Sequence, residues 1–147
     1  MLRGNCPATI DNKGRIKVPN SFRKHIEDKY GRECFVTSIT GEYVRVYPLS
    51  VWEEREKVLS ESQEKEPVIA RVLNIVNYYG QVTAIDQQGR LLIHPLLRQR
   101  TGLNGTVAVL GKQTHLDIWN REKFETRFEG RPLTDEENST VASYLGY

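Results

Sequence analysis

The sequence has too few cysteines and histidines for a disulfide framework or a metal site. It contains two cysteines, Cys6 and Cys34, and three scattered histidines, His25, His94 and His115. A reducing compartment would keep both cysteines as thiols, and their role is not evident from the sequence. None of these residues has a metal-ligand spacing such as CxxC or HxxxH. We therefore expect no disulfide, no metal and no other cofactor.

Long apolar runs are also missing. No stretch approaches the roughly 18 to 20 residues of a membrane span, and residues 1–5 lack the apolar core of a signal peptide. We expect a cytoplasmic protein without a membrane partner. Its 38% hydrophobic and 27% charged residues are typical of a folded chain. Its 147 residues allow one ordinary domain or two very small ones.

The net charge of +2 is unevenly distributed. Residues 1–32 carry eight Lys or Arg against three Asp or Glu, a net +5, so the other 115 residues sum to −3. A basic segment on a nearly neutral chain is typical of proteins that bind a polyanion. On charge alone, a solvated strand and helix explain the segment at least as well.

An internal repeat organises the chain. Residues 10–18, IDNKGRIKV, reappear as residues 85–93, IDQQGRLLI, at an offset of 75. Residues 44–52 match residues 116–124 in apolar and aromatic pattern at an offset of 72. Agreement in order, type and spacing over some 45 residues is hard to reach by chance. The chain is therefore predicted to be a tandem duplication.

Each copy is predicted to contain two strands joined by an Asp-x-x-Gly turn. Gly14 and Gly89 can take a positive φ there, and Asp11 and Asp86 can accept hydrogen bonds from nearby backbone N–H groups. A helix follows, with Phe22, Ile26 and Tyr30 on one face and Gly31 at its end; the second copy has a shorter helix over residues 96–100, closed by Gly102.

A hairpin and a further helix complete each copy. Hairpins are predicted over residues 34–47 and 106–119; the second has its first strand over 106–110, a turn after Gly111 and a return at His115. Residues 50–53, SVWE, predict a capping box at the start of a helix, and Asn120 is the predicted N-cap at the equivalent place.

A helix over residues 67–79 has no evident counterpart in the second copy. It is apolar on almost all sides, so we expect it to be buried, either between the two repeats or against another subunit. Residues 131–147 contain an acidic run at 135–137 and few large apolar side chains. We expect them to form a loosely held acidic tail.

The predicted fold class is α+β. One copy has about 50 residues, too few for a comfortable independent domain, but two copies can bury each other's apolar faces as a pseudo-dimeric, closed or nearly closed small β-barrel with flanking helices. The predicted organisation is a first repeat over 1–64, a connecting apolar helix over 65–79, a second repeat over 80–130 and an acidic tail over 131–147.

The Asp-x-x-Gly-Arg loops allow three interpretations. A turn with one solvated arginine would explain most isolated matches. The paired carboxylates of an aspartic protease need two aspartates in contact, each followed by a small hydroxylated residue and glycine. Here Asp11 precedes Asn-Lys and Asp86 precedes Gln-Gln, so we predict no catalytic residue and no small-molecule substrate. The third interpretation is nucleic-acid binding.

Strand alternation turns Arg15 and Lys17 outward together, on the side opposite the apolar residues. A two-stranded ribbon fits the major groove of DNA, where Arg can pair bidentately with guanine. We therefore predict contact with double-stranded DNA through Lys13, Arg15 and Lys17, with Arg3 and Arg90 assisting.

The chain resembles the MraZ family of bacterial proteins, which carry two SpoVT/AbrB-type repeats, each marked by a DxxxR motif. Residues 11–15 and 86–90 both satisfy that motif. The likeness covers about residues 1–130 and is supported by Met1-Leu2-Arg3-Gly4, Tyr47-Pro48-Leu49 with Trp52, Gly89-Arg90-Leu91-Leu92-Ile93 with Pro95 and Leu97-Arg98, and Ile118-Trp119.

The resemblance implies a nucleoid-associated transcription factor. Members of that family typically act on the division and cell-wall gene cluster and often on their own promoter, bind tandem G-rich boxes, and assemble into rings. Their DNA-contacting arginine falls on Arg15 here. Gln88 and Leu92 stand where the first copy has Lys13 and Lys17, which leaves the contribution of Arg90 open.

Two alternative functions are an AbrB-like antitoxin and a ring-forming scaffold. An antitoxin usually ends in a disordered toxin-binding tail after one repeat, whereas a second repeat fills that place here. For assembly, the predicted interface is the helix over 67–79 with the aromatic surface near Tyr43, Tyr47 and Trp52.

Overall fold

The computed structural model describes residues 1–147 as one eight-stranded antiparallel sheet with six helices. The same order of elements occurs twice, which confirms the duplicated α+β fold. None of the helices has the length and apolarity needed to cross a membrane. In chain order the elements are β1 (Leu2–Ile10), β2 (Arg15–Lys17), α1 (Asn20–Tyr30), β3 (Glu33–Thr37), β4 (Val44–Pro48), α2 (Leu49–Ser62), α3 (Pro67–Tyr79), β5 (Gln81–Ala84), β6 (Arg90–Leu92), α4 (Pro95–Thr101), β7 (Gly105–Gln113), β8 (His115–Asn120), α5 (Arg121–Glu129) and α6 (Asp135–Leu145).

The strand order β5-β3-β4-β8-β7-β1-β2-β6 has the symmetry of a pseudo-dimer. The strands β1 to β4 of the first repeat correspond to β5 to β8 of the second. When the two repeats are exchanged, the β2–β6 and β4–β8 pairs each map onto themselves, and the β1–β7 pair maps onto β5–β3. One pairing lacks its counterpart, because β1 bonds to β2 whereas β5 and β6 lie in contact at the two ends of the sheet. The sheet is therefore a nearly closed barrel.

Both repeats fill the barrel interior. Nineteen buried apolar side chains form one cluster, in which Ile16 of β2 lies opposite Leu91 of β6. Ile26 of α1 and Leu97 of α4 are fully buried in the same cluster. Burial there raises the pKa of the Cys34 thiol to about 12. Because each repeat supplies about half of this core, neither can bury its apolar surface alone.

A largely buried ion pair crosses the β4–β8 contact, where Arg45 lies opposite Asp117. Arg45 Nε donates to Asp117 Oδ1 at 2.9 Å, and the two side chains are only 18% and 7% exposed. The hydroxyls of Tyr47 and Tyr43 accept hydrogen bonds from the same guanidinium at 3.3 and 3.0 Å. Desolvation, with the charge of Arg45, lowers the pKa of the neighbouring His115 to about 4.

The aromatic residues of the first repeat form a second, outer cluster that α2 and α3 cover. Phe35 stacks on Trp52 at 4.7 Å, and Tyr47 and Val51 pack beside them. Tyr47 and Trp52 are 5% and 4% exposed. The prediction that they form a subunit interface is therefore wrong, because helices of the same chain already cover them.

The helix α3 has the predicted bounds but is neither buried nor placed between the repeats. It packs against α2 and β3 of its own repeat, and only Val76 is buried. Val68, Ile75 and Tyr78 lie on one stripe of the helix and are 51%, 40% and 66% exposed. We call these three residues the α3 stripe.

In the order of elements α6 follows α5 as α3 follows α2, so α3 has a counterpart in the second repeat. Thr134 and Glu137 form a capping box at its start, and the hydrogen bond from the Thr134 backbone lowers the pKa of Glu137. Within the predicted tail, residues 135–145 form a helix, and none of its side chains is buried.

Of the predicted element ends, one helix cap is wrong, one strand is longer than predicted, and one helix cap is confirmed. The helix α2 begins at Leu49 directly after the strand and has no side-chain cap, so Ser50 lies inside its first turn. The strand β7 continues beyond the predicted Leu110 to Gln113, and the turn lies after Gly111 with the return at His115 as predicted. At Gly111 the backbone of β1 lies too close for a Cβ. Asn120 caps α5 as predicted.

Candidate nucleic-acid interface

The first Asp-x-x-Gly-Arg loop, residues 11–15, is a tight turn closed by its own aspartate. Asp11 Oδ1 accepts hydrogen bonds from the backbone N–H groups of Lys13 and Arg15 at 3.0 and 2.8 Å, and Gly14 has a φ of +85°. The Arg15 bond is the main cause that lowers the pKa of Asp11. Asp11 Oδ2 accepts from Arg15 Nε at 2.9 Å. Arg15 is thereby oriented, while its terminal nitrogens donate to no protein group.

The second loop, residues 86–90, has the same backbone and a looser arginine. Asp86 Oδ1 accepts from the N–H groups of Gln88 and Arg90 at 2.8 and 2.9 Å, and Gly89 has a φ of +80°. The Arg90 backbone bond is again the main cause that lowers the pKa of the aspartate. Arg90 Nε, however, lies 3.6 Å from Asp86 Oδ2, too far for a hydrogen bond. The expected turn chemistry is confirmed in both loops.

The pairing of β2 with β6 combines the two repeats into one basic surface. Arg15 lies opposite Leu92 and Lys17 opposite Arg90, while the central pair of the two strands faces the barrel interior. Arg15, Lys17 and Arg90 therefore share one outward face, which we call the cationic patch. Lys13 is exposed in the first loop beside it.

Arg3 does not join this patch. It lies seven residues before Ile10 on β1, opposite Lys112 of β7. A strand rises about 3.3 Å per residue, which places Arg3 on the order of 20 Å from the first loop. The prediction that Arg3 assists Arg15 relied on closeness in sequence, which an extended strand does not preserve in space.

Each loop is braced by an arginine of the other repeat, a feature that the sequence analysis missed. A Cβ on Gly14 would lie 2.6 Å from Arg98 Nε, and a Cβ on Gly89 would lie 2.8 Å from Arg23 Nη1. Arg23 also donates to the Gln87 carbonyl at 3.1 Å. Arg23 and Arg98 are 75 residues apart, the same offset as the two loops, so the sequence shows that they are equivalent. Nothing in the sequence near either arginine shows that it contacts the loop of the other repeat.

These contacts predict that alanine at Gly14 is much worse than alanine at another left-handed glycine. Gly4 also has a positive φ, of +90°, but its Cβ would meet nothing within 4 Å, so Gly4→Ala should cost only about 1–2 kcal/mol of backbone strain. Gly14→Ala adds crowding against Arg98 and the Ile93 carbonyl, worth about 1–3 kcal/mol more. Urea denaturation of both variants measures the difference; equal losses would contradict it.

Comparison with known proteins gives the family. A family model described as "MraZ protein, putative antitoxin-like" matches residues 1–74 and 81–142. The chain belongs to the MraZ family. Each matched MraZ segment contains one Asp-x-x-Gly-Arg loop, so the segments correspond to the two halves of the barrel.

Curated MraZ proteins match the chain over nearly its full length. It is 38% identical over 144 residues to the transcriptional regulator MraZ of Acidobacterium capsulatum, covering 98% of this chain and 99% of the relative. It is 42% identical over 143 residues to that of Koribacter versatilis, covering 97% of each, and 30% identical over 129 residues to that of Nitrosospira multiformis, covering 88% of each. The resemblance inferred from the motifs is confirmed.

Proposed function

We propose that the protein is a sequence-specific DNA-binding transcriptional regulator that contacts double-stranded DNA through the cationic patch and acts without catalysis. The observation that carries the proposal is the β2–β6 pairing, which puts Arg15, Lys17 and Arg90 on one outward face. The names of the MraZ relatives support a regulatory function. A gel shift on DNA from upstream of the gene tests it: preferential retardation supports the proposal, and equal retardation of a scrambled duplex contradicts it.

Within the patch, the residues have different tasks. Arg15, oriented by Asp11 and free at its terminal nitrogens, reads guanine O6 and N7 in the major groove. Lys13 and Lys17 are exposed cations without ion-pair partners and bind phosphates. Arg90 assists from the second repeat, with less effect because its guanidinium is held less firmly and Gln88 is neutral.

The DNA sites that fit this patch are short G-rich boxes repeated in tandem, upstream of the protein's own gene and in the division and cell-wall gene cluster. A few cationic contacts bind only weakly at physiological salt. Boxes about one helical turn apart let neighbouring subunits bind one face of the duplex, and linkage raises the avidity. The protein then acts in the cytoplasm, associated with the nucleoid.

Such binding requires association of subunits, for which the two repeats offer related faces. The first repeat exposes the α3 stripe, and the second exposes Leu133, Tyr144 and Leu145 at and around α6. The charged residue of α3 is Arg71, whereas α6 begins with the acidic run 135–137. Contact between α3 of one subunit and α6 of the next is a head-to-tail arrangement, which closes into a ring or continues as a filament.

Ile75→Asp is expected to convert the oligomer to folded monomers, because it puts a charge into the apolar contact. Ile75 is preferable to Val72, which packs partly buried against the outer cluster. Val58→Asp is the matched control on α2, where Val58 is 62% exposed. Light scattering should show the loss of mass only for Ile75→Asp, with binding weakened at tandem boxes and unchanged at one box. A wild-type monomer at micromolar concentration that still binds tandem boxes cooperatively would contradict the ring.

A further inference from the structure

Arg98 differs from its counterpart Arg23 in having no partner within the chain. Arg23 donates from Nε to Glu27 at 3.0 Å and from Nη2 to the Gln87 carbonyl at 3.1 Å. Arg98 makes no side-chain hydrogen bond or ion pair, and its Nε is buried without a partner. The residue four positions after Arg98 is Gly102, so the helix offers no acid in the place of Glu27. The charge of Arg98 is therefore not neutralised within the chain, and its terminal nitrogens remain available to an anion from outside.

The position of Arg98 beside the first loop is fixed by reciprocal backbone bonds between the repeats. The Ile93 N–H donates to the Gly14 carbonyl at 2.8 Å, as the Val18 N–H donates to the Gly89 carbonyl at 2.8 Å. The helix α4 starts two residues after Ile93, and its first turn carries Arg98 against Gly14. The first loop is thus attached to the second repeat.

We propose that Arg98 is a further DNA-binding residue, supplied by the second repeat to the first loop, where its guanidinium binds a phosphate beside the guanine contact of Arg15. This inference rests on the proposed function. The acid nearest in sequence to the loop glycine, Asp11, is already bonded to Arg15 and to the loop N–H groups. A phosphate oxygen would accept a charge-assisted hydrogen bond from the terminal nitrogens of Arg98, which donate to no group of the chain and are not buried. The second loop gains no such cation, because Glu27 neutralises Arg23.

The test compares Arg98→Gln, Arg98→Lys and the control Arg55→Gln, which removes an exposed arginine on α2 that forms no ion pair. Affinities for a tandem-box duplex and a scrambled duplex are measured at several salt concentrations. Arg98→Gln should weaken both by about tenfold, as expected for a lost charged hydrogen bond, and lower the salt slope by about one. Arg98→Lys should keep the slope, and Arg55→Gln should match the wild type.

Thermal unfolding shows whether each variant is folded before its binding is interpreted. If Arg98→Gln is unstable, Arg98→Met, which also removes the charge but keeps the apolar stem, takes its place. An unchanged salt slope for Arg98→Gln, or a slope that falls equally for Arg55→Gln, overturns the inference and leaves Arg98 a structural brace of Gly14. The proposed function is judged separately, from the wild-type preference for the box duplex over the scrambled duplex. A wild type that binds neither duplex overturns both.

Discussion

Replacing Arg15 by alanine is expected to remove most of the preference for the correct DNA box. A bidentate arginine–guanine contact is worth about 1–3 kcal/mol of base discrimination, roughly 5- to 150-fold in relative affinity. Arg15 is suited to this contact because Asp11 holds Nε at 2.9 Å and leaves the terminal nitrogens free. Competition between box and scrambled duplexes, followed by fluorescence anisotropy, measures the ratio.

Two neighbouring substitutions distinguish base reading from charge. Lys17→Ala removes a cation from the same face and should weaken both duplexes alike, lowering the salt slope by about one. Arg90→Ala should have the smaller effect on preference, because its Nε lies 3.6 Å from Asp86. If Arg15→Ala keeps both the affinity and the preference of the wild type, the first loop does not read the bases.

Asp117→Ala is expected to destabilise the fold by about 3–5 kcal/mol, the usual cost of leaving one partner of a buried ion pair alone. In the variant, the Arg45 guanidinium at the β4–β8 contact would keep only two tyrosine hydroxyls as hydrogen-bond partners. Because this contact joins the repeats, the loss should appear in one cooperative transition of the whole barrel. Urea denaturation followed by circular dichroism measures it.

Two comparisons show whether burial is the cause. Glu125→Ala breaks the exposed pair of Arg121 and Glu125, which are 61% and 45% exposed, and should cost less than about 1 kcal/mol. The double variant Arg45→Met with Asp117→Leu removes both charges and should recover most of the stability. A cost for Asp117→Ala no larger than that for Glu125→Ala would contradict the proposed role of the pair.

Local features of the fold could be predicted from the sequence because they depend on neighbouring residues. The turns at Gly14 and Gly89 need a positive φ and an aspartate that accepts nearby N–H groups, and both requirements are visible in five residues. The capping box of Thr134 and Glu137 was equally visible and would have predicted α6. The acidic composition of that segment concealed it.

Features that depend on partners distant in sequence could not be predicted. The repeat shows that there are two related units, but not that β2 pairs with β6, so the face shared by Arg15 and Arg90 was not foreseeable. The contact of Arg98 with the opposite loop depends on the same pairing. Apolar periodicity likewise located α3 without showing which of its sides the rest of the chain covers.

Recognition of DNA sequence by this chain is measured by the ratio of the wild-type affinities for two duplexes. Binding to DNA from upstream of its own gene is compared with binding to a scrambled duplex of equal length and composition, at physiological salt. Specific protein–DNA binding exceeds non-specific binding by at least about a thousandfold, and we expect a preference in that range. Equal affinity for the two duplexes would contradict it.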